Sequence, residues 1–158
     1  MKKFELRSGS VQQTQEIGEK LALAVIPGDV IDLRGPLGAG KTAFTQGFAR
    51  GLGIKGPVTS PTFLMVKSYS GRIDLLHCDL YRTSSSIEVE MLGIDEELDA
   101  GAVAVVEWGE RAEGELDAVV VVDFRVSGQD QESRILEFTL RNDSLGRFES
   151  LLSHLEVQ

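Results

Sequence analysis

The sequence predicts an α/β protein with a mixed, mostly parallel central sheet and flanking helices, and three observations support this. Segments with strand character alternate with segments of helical periodicity along most of the chain. Residues 102–106 form a continuous run of small apolar side chains, which is typical of a central strand covered on both faces. The 158 residues suffice for one full core, so we expect a single domain over residues 1–158.

The first elements are a helix, a strand and a second helix. Ser10 and Gln13 resemble a capping box, and apolar side chains then recur at helical spacing until Pro27-Gly28 interrupts the pattern. Residues 30–33 are a short run with strand character. Residues 42–50 again show apolar side chains at helical spacing, so they predict the second helix.

The loop between this strand and the second helix carries the most informative motif. Residues 35–42 read Gly-Pro-Leu-Gly-Ala-Gly-Lys-Thr and match the phosphate-binding pattern G-x-x-x-x-G-K-[ST]. Glycines let the backbone turn its N–H groups toward phosphate oxygens, the lysine supplies positive charge to the outer phosphates, and the threonine hydroxyl is placed for Mg²⁺. An accidental glycine turn is disfavoured, because strand, loop and helix follow in the order that the motif requires. The motif predicts a P-loop NTPase fold whose nucleotide-binding residues are Gly35, Pro36, Leu37, Gly38, Ala39, Gly40, Lys41 and Thr42.

Further segments complete the α/β pattern. Residues 63–69 and 73–78, separated by Gly71, indicate a β-hairpin. A serine cluster at residues 84–86 is placed to cap a short helix. Two more strands and a closing helix are predicted at residues 119–126, 135–140 and 145–155.

The charge balance limits the classes of partner. The net charge is −9, from 16 basic and 25 acidic residues, whereas proteins that bind nucleic acids broadly use clustered Lys and Arg. Any connection to RNA is therefore expected to be indirect. The acidic runs at residues 88–99 and 107–117 are interpreted as solvated faces, with a docking surface for a basic partner as the alternative.

Composition also predicts a cytoplasmic protein without a membrane segment. No run approaches the ~18 apolar residues of a membrane span, and the first residues do not resemble a signal peptide. The single cysteine, Cys78, permits no internal disulfide, which agrees with a reducing compartment. We interpret Cys78 as a small buried hydrophobe rather than a reactive thiol.

Two acids are candidates to complete a nucleotide site. Glu107 follows the buried run at 103–106, and Asp79 follows the run at 73–78. NTPases hold Mg²⁺, directly or through water, with an acidic side chain at the carboxyl end of a strand. For each acid the alternative is a strand-terminal side chain facing water, and the sequence leaves open which of the two contacts the metal.

Other polar and aromatic residues have two interpretations each. Ser60 and Thr62 flank Pro61 downstream of the second helix, where P-loop proteins keep a segment that senses the γ-phosphate; the alternative is a turn before a strand. Trp108 is a candidate to stack on a base or a partner, or to cover the core. His77 is interpreted as a satisfied strand histidine, and no His/Cys cluster suggests zinc.

Together these segments resemble the TsaE family of small bacterial ATPases in tRNA threonylcarbamoyladenosine modification. The resemblance covers nearly the whole chain and depends on four motifs in order and spacing. They are the loop at residues 35–42, Val58-Thr59-Ser60-Pro61-Thr62-Phe63, His77-Cys78-Asp79-Leu80-Tyr81-Arg82, and Val106-Glu107-Trp108-Gly109-Glu110.

The resemblance implies ATP and Mg²⁺ as cofactors, weak ATP hydrolysis, and an accessory role that resets a complex of the TsaD and TsaB proteins, which handle the tRNA. It implies that Lys41 and Thr42 bind phosphate and Mg²⁺, and that Ser60 and Thr62 form a switch-like segment. It also implies that Asp79, Glu107 and Trp108 are required. Pro36 stands where many members have an acid, so no role of that side chain carries over, whereas the glycines that cradle phosphate are intact.

Two other functions remain open from the residues. A small-molecule phosphotransferase of the P-loop kinase type would need a lid with arginines, and Arg125, Arg134 and Arg141 are scattered over predicted strands. A nucleotide-dependent binding module without useful turnover is the third possibility.

Overall fold

A seven-stranded mixed sheet forms the centre of the molecule. The computed structural model describes residues 1–61, 66–80, 93–108, 117–128 and 132–157. The strand order is β1-β7-β6-β2-β5-β4-β3. The strands are β1 (Lys2–Ser8), β2 (Val30–Arg34), β3 (Val66–Tyr69), β4 (Leu75–Asp79), β5 (Val103–Glu107), β6 (Val120–Val126) and β7 (Arg134–Leu140). The helices are α1 (Val11–Ala22), α2 (Lys41–Gly51), α3 (Ile94–Asp99) and α4 (Leu145–Val157), with a 3₁₀ turn at Asn142–Ser144.

The predicted parallel centre of the sheet is confirmed. Strand β2 is parallel to β5 and β6, and β5 is parallel to β4. The outer pairings, β1 with β7, β6 with β7 and β3 with β4, are antiparallel. Because β2, β4 and β5 run the same way, their carboxyl ends meet at one edge, where Glu107 is in register with both Leu33 and Asp79.

Apolar clusters cover both faces of the sheet. Helices α1, α2 and α4 pack on one face in a large cluster that includes Phe44, Phe138 and Phe148. The alternate residues of the central strands, among them Cys78 and Val106, form a smaller cluster on the other face with Ile94 of α3. Burial on both faces explains why residues 102–106 are apolar without alternation.

Helices α1 and α2 lie unusually close together. A Cβ on Gly47 of α2 would lie 1.8 Å from the carbonyl oxygen of Gln15 in α1, a distance that no side chain tolerates. Only glycine permits this approach of the two backbones. The close packing fixes α2, whose first residue is Lys41 of the predicted phosphate-binding loop.

Most predicted elements occur, and the differences concern the first strand and a short helix in the middle of the chain. The Ser10 hydroxyl accepts from the Gln13 N–H over 3.1 Å, as predicted, while the Gln13 side chain accepts from Gly9 rather than from Ser10 itself. Strand β1 was not predicted, although its buried and exposed residues alternate strictly from Phe4 to Ser8. The helix predicted after residues 84–86, and the start of the strand predicted at 63–69, lie outside the described residues.

The short helix α3 was also not predicted. Its acids Asp95, Glu96, Glu97 and Asp99 are exposed, which agrees with the solvated face expected for this part of the acidic run. Among the helices that the structure describes, none is long and apolar enough to cross a membrane.

Candidate functional site

The predicted phosphate-binding loop connects the end of β2 to the start of α2, as the motif requires. Gly35, Gly38 and Gly40 all adopt positive φ angles, of 146°, 81° and 108°. At Gly35 a side chain is doubly excluded, since a Cβ would also lie 2.9 Å from the carbonyl oxygen of Phe124 in β6. The loop can therefore lie directly against β6, and its backbone conformation depends on glycine.

The start of α2 carries N–H groups that the helix itself leaves without acceptors. Gly40 occupies the N-cap position in a left-handed conformation, and no side chain in the described part of the chain caps the helix through a hydrogen bond. The first turn of a helix leaves N–H groups without intrahelical acceptors, and the helix dipole adds positive potential there. This end of α2 is thus built to receive an anion.

Lys41 is buried beside the loop, in contact with a carbonyl group, a carboxylate and an aromatic ring. Its Nζ donates to the Gly35 carbonyl oxygen over 2.8 Å and lies 3.7 Å from Oε1 of Glu107. The same ammonium group lies 5.3 Å from the centre of the Trp108 ring, which is within the range of a cation–π contact. The lysine charge is therefore balanced by a carboxylate within the site.

Asp79 and Glu107 end neighbouring parallel strands and are in register with each other. Their residues are only 8% and 6% exposed, so neither is the water-facing terminal acid of the alternative interpretation. The Leu80 N–H donates to the Glu107 carbonyl oxygen over 3.0 Å, which continues the pairing past the end of β4. Two carboxylates thus meet at the edge of the sheet next to the loop.

These groups surround one pocket of about 390 Å³. Its lining residues are Leu37, Gly38, Gly40, Lys41, Thr42, Ser60, Asp79, Glu107 and Trp108. Of the other predicted site residues, Gly35 contacts the pocket lysine through its carbonyl group, Pro36 is exposed, and Ala39 is buried behind the loop. Thr62 lies outside the described residues.

The oxygen atoms of this pocket fit a hard divalent cation. Thr42, Asp79 and Glu107 offer one hydroxyl and two carboxyl groups, and Mg²⁺ characteristically takes one or two carboxylates together with water and phosphate oxygens. Within the described ranges, no group of three or more His, Cys, Asp or Glu side chains is arranged to hold a metal unaided. The donor set therefore suits a cation that arrives with a phosphate ligand.

Trp108 combines features of both of its sequence interpretations. The residue is half-buried, packs against the smaller apolar cluster, and also lines the pocket. Its φ of 61° is in the left-handed region, which is uncommon for a bulky residue. The chain thus turns sharply directly after Glu107, and strained backbone of this kind concentrates at functional sites.

Sequence reasoning missed two polar residues that contact the site. His77 is fully buried in β4, and its Nε2 lies 2.8 Å from Oε2 of Glu107. Its position two residues before Asp79 on the same strand was the available signal, since alternate residues of a strand share a face. Arg134 of β7 donates to the carbonyl oxygens of Ala39 and Gly38, and nothing in its local sequence indicates this contact.

Cys78, between His77 and Asp79, points to the other face of β4. It is fully buried in the smaller apolar cluster, and burial raises the pKa of its thiol to about 12. This confirms the interpretation of Cys78 as a small buried hydrophobe.

Comparisons with known proteins identify relatives over most of the chain. A family model described as "Threonylcarbamoyl adenosine biosynthesis protein TsaE" matches residues 8–136. The tRNA threonylcarbamoyladenosine biosynthesis protein TsaE of Bacillus subtilis is 44% identical over 117 residues, which cover 73% of each chain. The protein of the same name from Treponema pallidum is 41% identical over 120 residues, which cover 75% of this chain and 89% of the relative.

A solved structure agrees with this similarity. The crystal structure of Bacillus subtilis YdiB matches with a TM-score of 0.81 and 33% sequence identity, and the match covers 97% of this chain and 95% of that one. The similarity therefore extends to the whole arrangement of strands and helices.

Proposed function

Since the chain belongs to the TsaE family of tRNA threonylcarbamoyladenosine biosynthesis proteins, we propose that it binds ATP with Mg²⁺ and hydrolyses it slowly. Hydrolysis to ADP and phosphate drives a conformational change in partner proteins, and the chain itself transfers no threonylcarbamoyl group. In this proposal it is the accessory ATPase that resets a complex of TsaD and TsaB between turnovers.

The observation that carries the proposal is the meeting of the phosphate-binding loop with two buried carboxylates. Lys41, Asp79 and Glu107 come from three separate elements and converge on one pocket at the start of α2. A glycine turn with only a structural role would not need a buried lysine opposite buried acids. Burying a charge costs free energy unless the charge is paired with an opposite charge or binds a ligand.

Each side chain has a defined part in this proposal. The N–H groups at the start of α2 and the Lys41 ammonium bind the phosphates, which also satisfies groups that the helix leaves without acceptors. Thr42 and one of the two carboxylates, Asp79 or Glu107, would hold Mg²⁺, which would supply charge neutralisation at the phosphates. The other carboxylate would orient the attacking water, and Trp108 would cover the nucleotide side of the pocket.

The electrostatics favour protein partners over direct contact with tRNA. The net charge of −9 repels a nucleic acid, while exposed acids such as those of α3 suit a basic protein surface. We therefore propose that tRNA is bound by the partner proteins and only indirectly by this chain, in the cytoplasm.

A small-molecule phosphotransferase is the alternative within this fold. Such an enzyme clamps the transferred phosphate with arginines of a lid. Instead, Arg125 pairs with Glu5, Arg134 binds the carbonyls of the loop, and Arg141 pairs with Asp117 and Asp143. Arg125 and Arg141 thus pair away from the pocket, and the Arg134 guanidinium is bound to the backbone of the loop.

The proposal is tested by measuring ADP binding and phosphate release from ATP, with and without TsaD and TsaB. We expect Mg²⁺-dependent phosphate release, and we expect Lys41→Ala to weaken binding of both nucleotides. The control is Lys55→Ala, which removes an exposed lysine outside the pocket. Unchanged ADP affinity in Lys41→Ala would exclude the proposed site.

Two other results would favour the other functions. Transfer of labelled phosphate to an organic product in a metabolite extract, with no free phosphate, would establish a phosphotransferase. Nucleotide binding without turnover, even with TsaD and TsaB present, would establish a binding module.

A further inference from the structure

The carboxylate of Glu107 is held from two sides within the described residues. On one side Lys41 Nζ lies 3.7 Å from Oε1, and on the other side His77 Nε2 lies 2.8 Å from Oε2. The two contacts use different oxygen atoms of the carboxylate. Only the contact with His77 is at hydrogen-bond distance. The orientation of this carboxylate therefore depends chiefly on His77.

His77 has the burial and the chemistry of a fixed donor. The residue is fully buried in β4, between β3 and β5, where its backbone is in register with Lys67 and Val105. A neutral imidazole with its proton on Nε2 can donate to the Glu107 carboxylate. The other ring nitrogen, Nδ1, is buried without a hydrogen-bond partner among the described residues. The contact with Glu107 is thus the one polar contact in the described structure that accounts for a histidine here.

The two partners of Glu107 differ in what a nucleotide would do to them. Lys41 belongs to the phosphate-binding loop, and bound phosphates would compete with Glu107 for its ammonium group. His77 lies behind Glu107 in the sheet and does not line the pocket. When the lysine turns to the phosphates, Oε1 becomes available to a cation or a water molecule while Oε2 stays bound to His77.

We propose that His77 is a positioning residue that holds Glu107 in its working orientation when a nucleotide occupies the loop. This inference rests on the proposed ATPase function and assigns to the site a residue that touches neither nucleotide nor metal. Partners of metal-ligating or catalytic carboxylates of this kind typically contribute about 10- to 100-fold to affinity or rate.

The test compares His77→Gln, His77→Asn and His77→Leu. The glutamine amide nitrogen is as many bonds from the backbone as Nε2 and can donate to Glu107, whereas the asparagine amide ends one bond short and leucine has no donor. Cys78→Ala is the matched control, because it alters the adjacent, equally buried residue on the opposite face of the same strand.

Two readouts are needed. The first is kcat and KM for ATP. The second is independent of turnover: Mg²⁺ is titrated into the ADP-loaded protein, and the fluorescence of Trp108, the only tryptophan and a pocket residue, is followed.

We expect His77→Leu and His77→Asn to lower kcat and to raise the Mg²⁺ midpoint, each by about tenfold or more. ADP affinity without Mg²⁺ and KM for ATP should stay close to those of the control, and His77→Gln should recover most of the loss. A merely structural histidine would instead affect all of these quantities together, with no recovery by glutamine.

Several results would overturn the inference. The first is a wild-type kcat and Mg²⁺ midpoint in His77→Leu. The second is an equal loss of kcat in His77→Gln and His77→Asn. The third is a loss of Mg²⁺-free ADP affinity as large as the loss of kcat. If His77→Leu does not fold, the comparison of His77→Gln with His77→Asn still tests whether a donor at the position of Nε2 is required. Failure of the proposed function is distinguishable, because it would appear as unchanged ADP binding in Lys41→Ala.

Discussion

The Arg134 side chain donates a hydrogen bond from Nε to the carbonyl oxygen of Ala39 over 3.0 Å, and its Nη2 donates to the neighbouring Gly38 carbonyl over 3.1 Å. In a trans peptide the carbonyl of one residue and the N–H of the next point in opposite directions. By fixing the Ala39 carbonyl, Arg134 therefore also fixes the direction of the Gly40 N–H. A strand on the far side of β6 thus helps to shape the phosphate-binding loop.

Replacing Arg134 should weaken nucleotide binding. Hydrogen bonds from a charged donor each contribute about 1.5–3 kcal/mol, so we expect Arg134→Met to lower ADP affinity by about tenfold or more. Isothermal titration calorimetry measures this loss. The matched control is Arg125→Met on the neighbouring strand, which removes an exposed pair with Glu5 and should leave ADP affinity unchanged. Equal affinities of the two variants would show that the loop holds its shape without Arg134.

Neutral isosteres should separate the roles of the two pocket acids. Glu107→Gln and Asp79→Asn keep the shape of each side chain but remove its charge, so nucleotide binding without Mg²⁺ should persist. One of the two acids is expected to orient the attacking water. Replacing that acid by its amide should lower Mg²⁺-dependent turnover by about 100-fold or more. Phosphate release and ADP affinity, each measured at several Mg²⁺ concentrations, distinguish the two. Full activity in both variants would refute the assignment of these acids to the reaction.

Gly47→Ala should destabilise the fold. The added methyl group would meet the Gln15 backbone at 1.8 Å, so α1 and α2 must separate. We expect a loss of about 2–3 kcal/mol in the free energy of unfolding, measured by urea denaturation. The control Gly146→Ala places its methyl group in open space near the start of α4, where no neighbour lies within 4 Å. It should be neutral or slightly stabilising, and equal stability of both variants would contradict the close packing.

The Cys78 thiol should react with an aromatic disulfide reagent only after unfolding. It is fully buried in the smaller apolar cluster, so the reagent cannot reach it in the folded protein. The rate of labelling, followed by absorbance, should rise sharply across the urea transition. Rapid stoichiometric labelling of the native protein would show that this face of the sheet opens.

Local sequence was sufficient to locate the loop and to predict that Asp79 and Glu107 lie at the carboxyl edge of the sheet. Residues 35–42 are contiguous, so the motif and the start of α2 are readable without knowledge of the fold. Glu107 and Asp79 were predictable because the carboxyl ends of parallel strands meet at one edge, which requires only the direction of each strand.

The contacts of His77 and Arg134 could not be predicted in the same way. The pairing of His77 with Glu107 depends on the register of β4 against β5, and local patterns do not give register. Arg134 reaches the loop because β7 pairs with β6 and β6 pairs with β2, the strand that leads into the loop. This strand order brings a late segment of the chain close to an early one. Strand β1 was not predicted, although its buried and exposed residues alternate from Phe4 to Ser8.

The register that unites the pocket also has a consequence for folding. The β6–β7 hairpin involves neighbouring segments, whereas β2 and β5 pair across a long stretch of chain. Such non-local pairings carry a large loop-closure cost and are expected to form late. A partly folded chain would therefore have the loop but lack the acids opposite it. A ligand that binds only the complete pocket, at 100 times its Kd, adds about 2.7 kcal/mol to stability. Nucleotide would thus stabilise contacts of this protein that form late in folding.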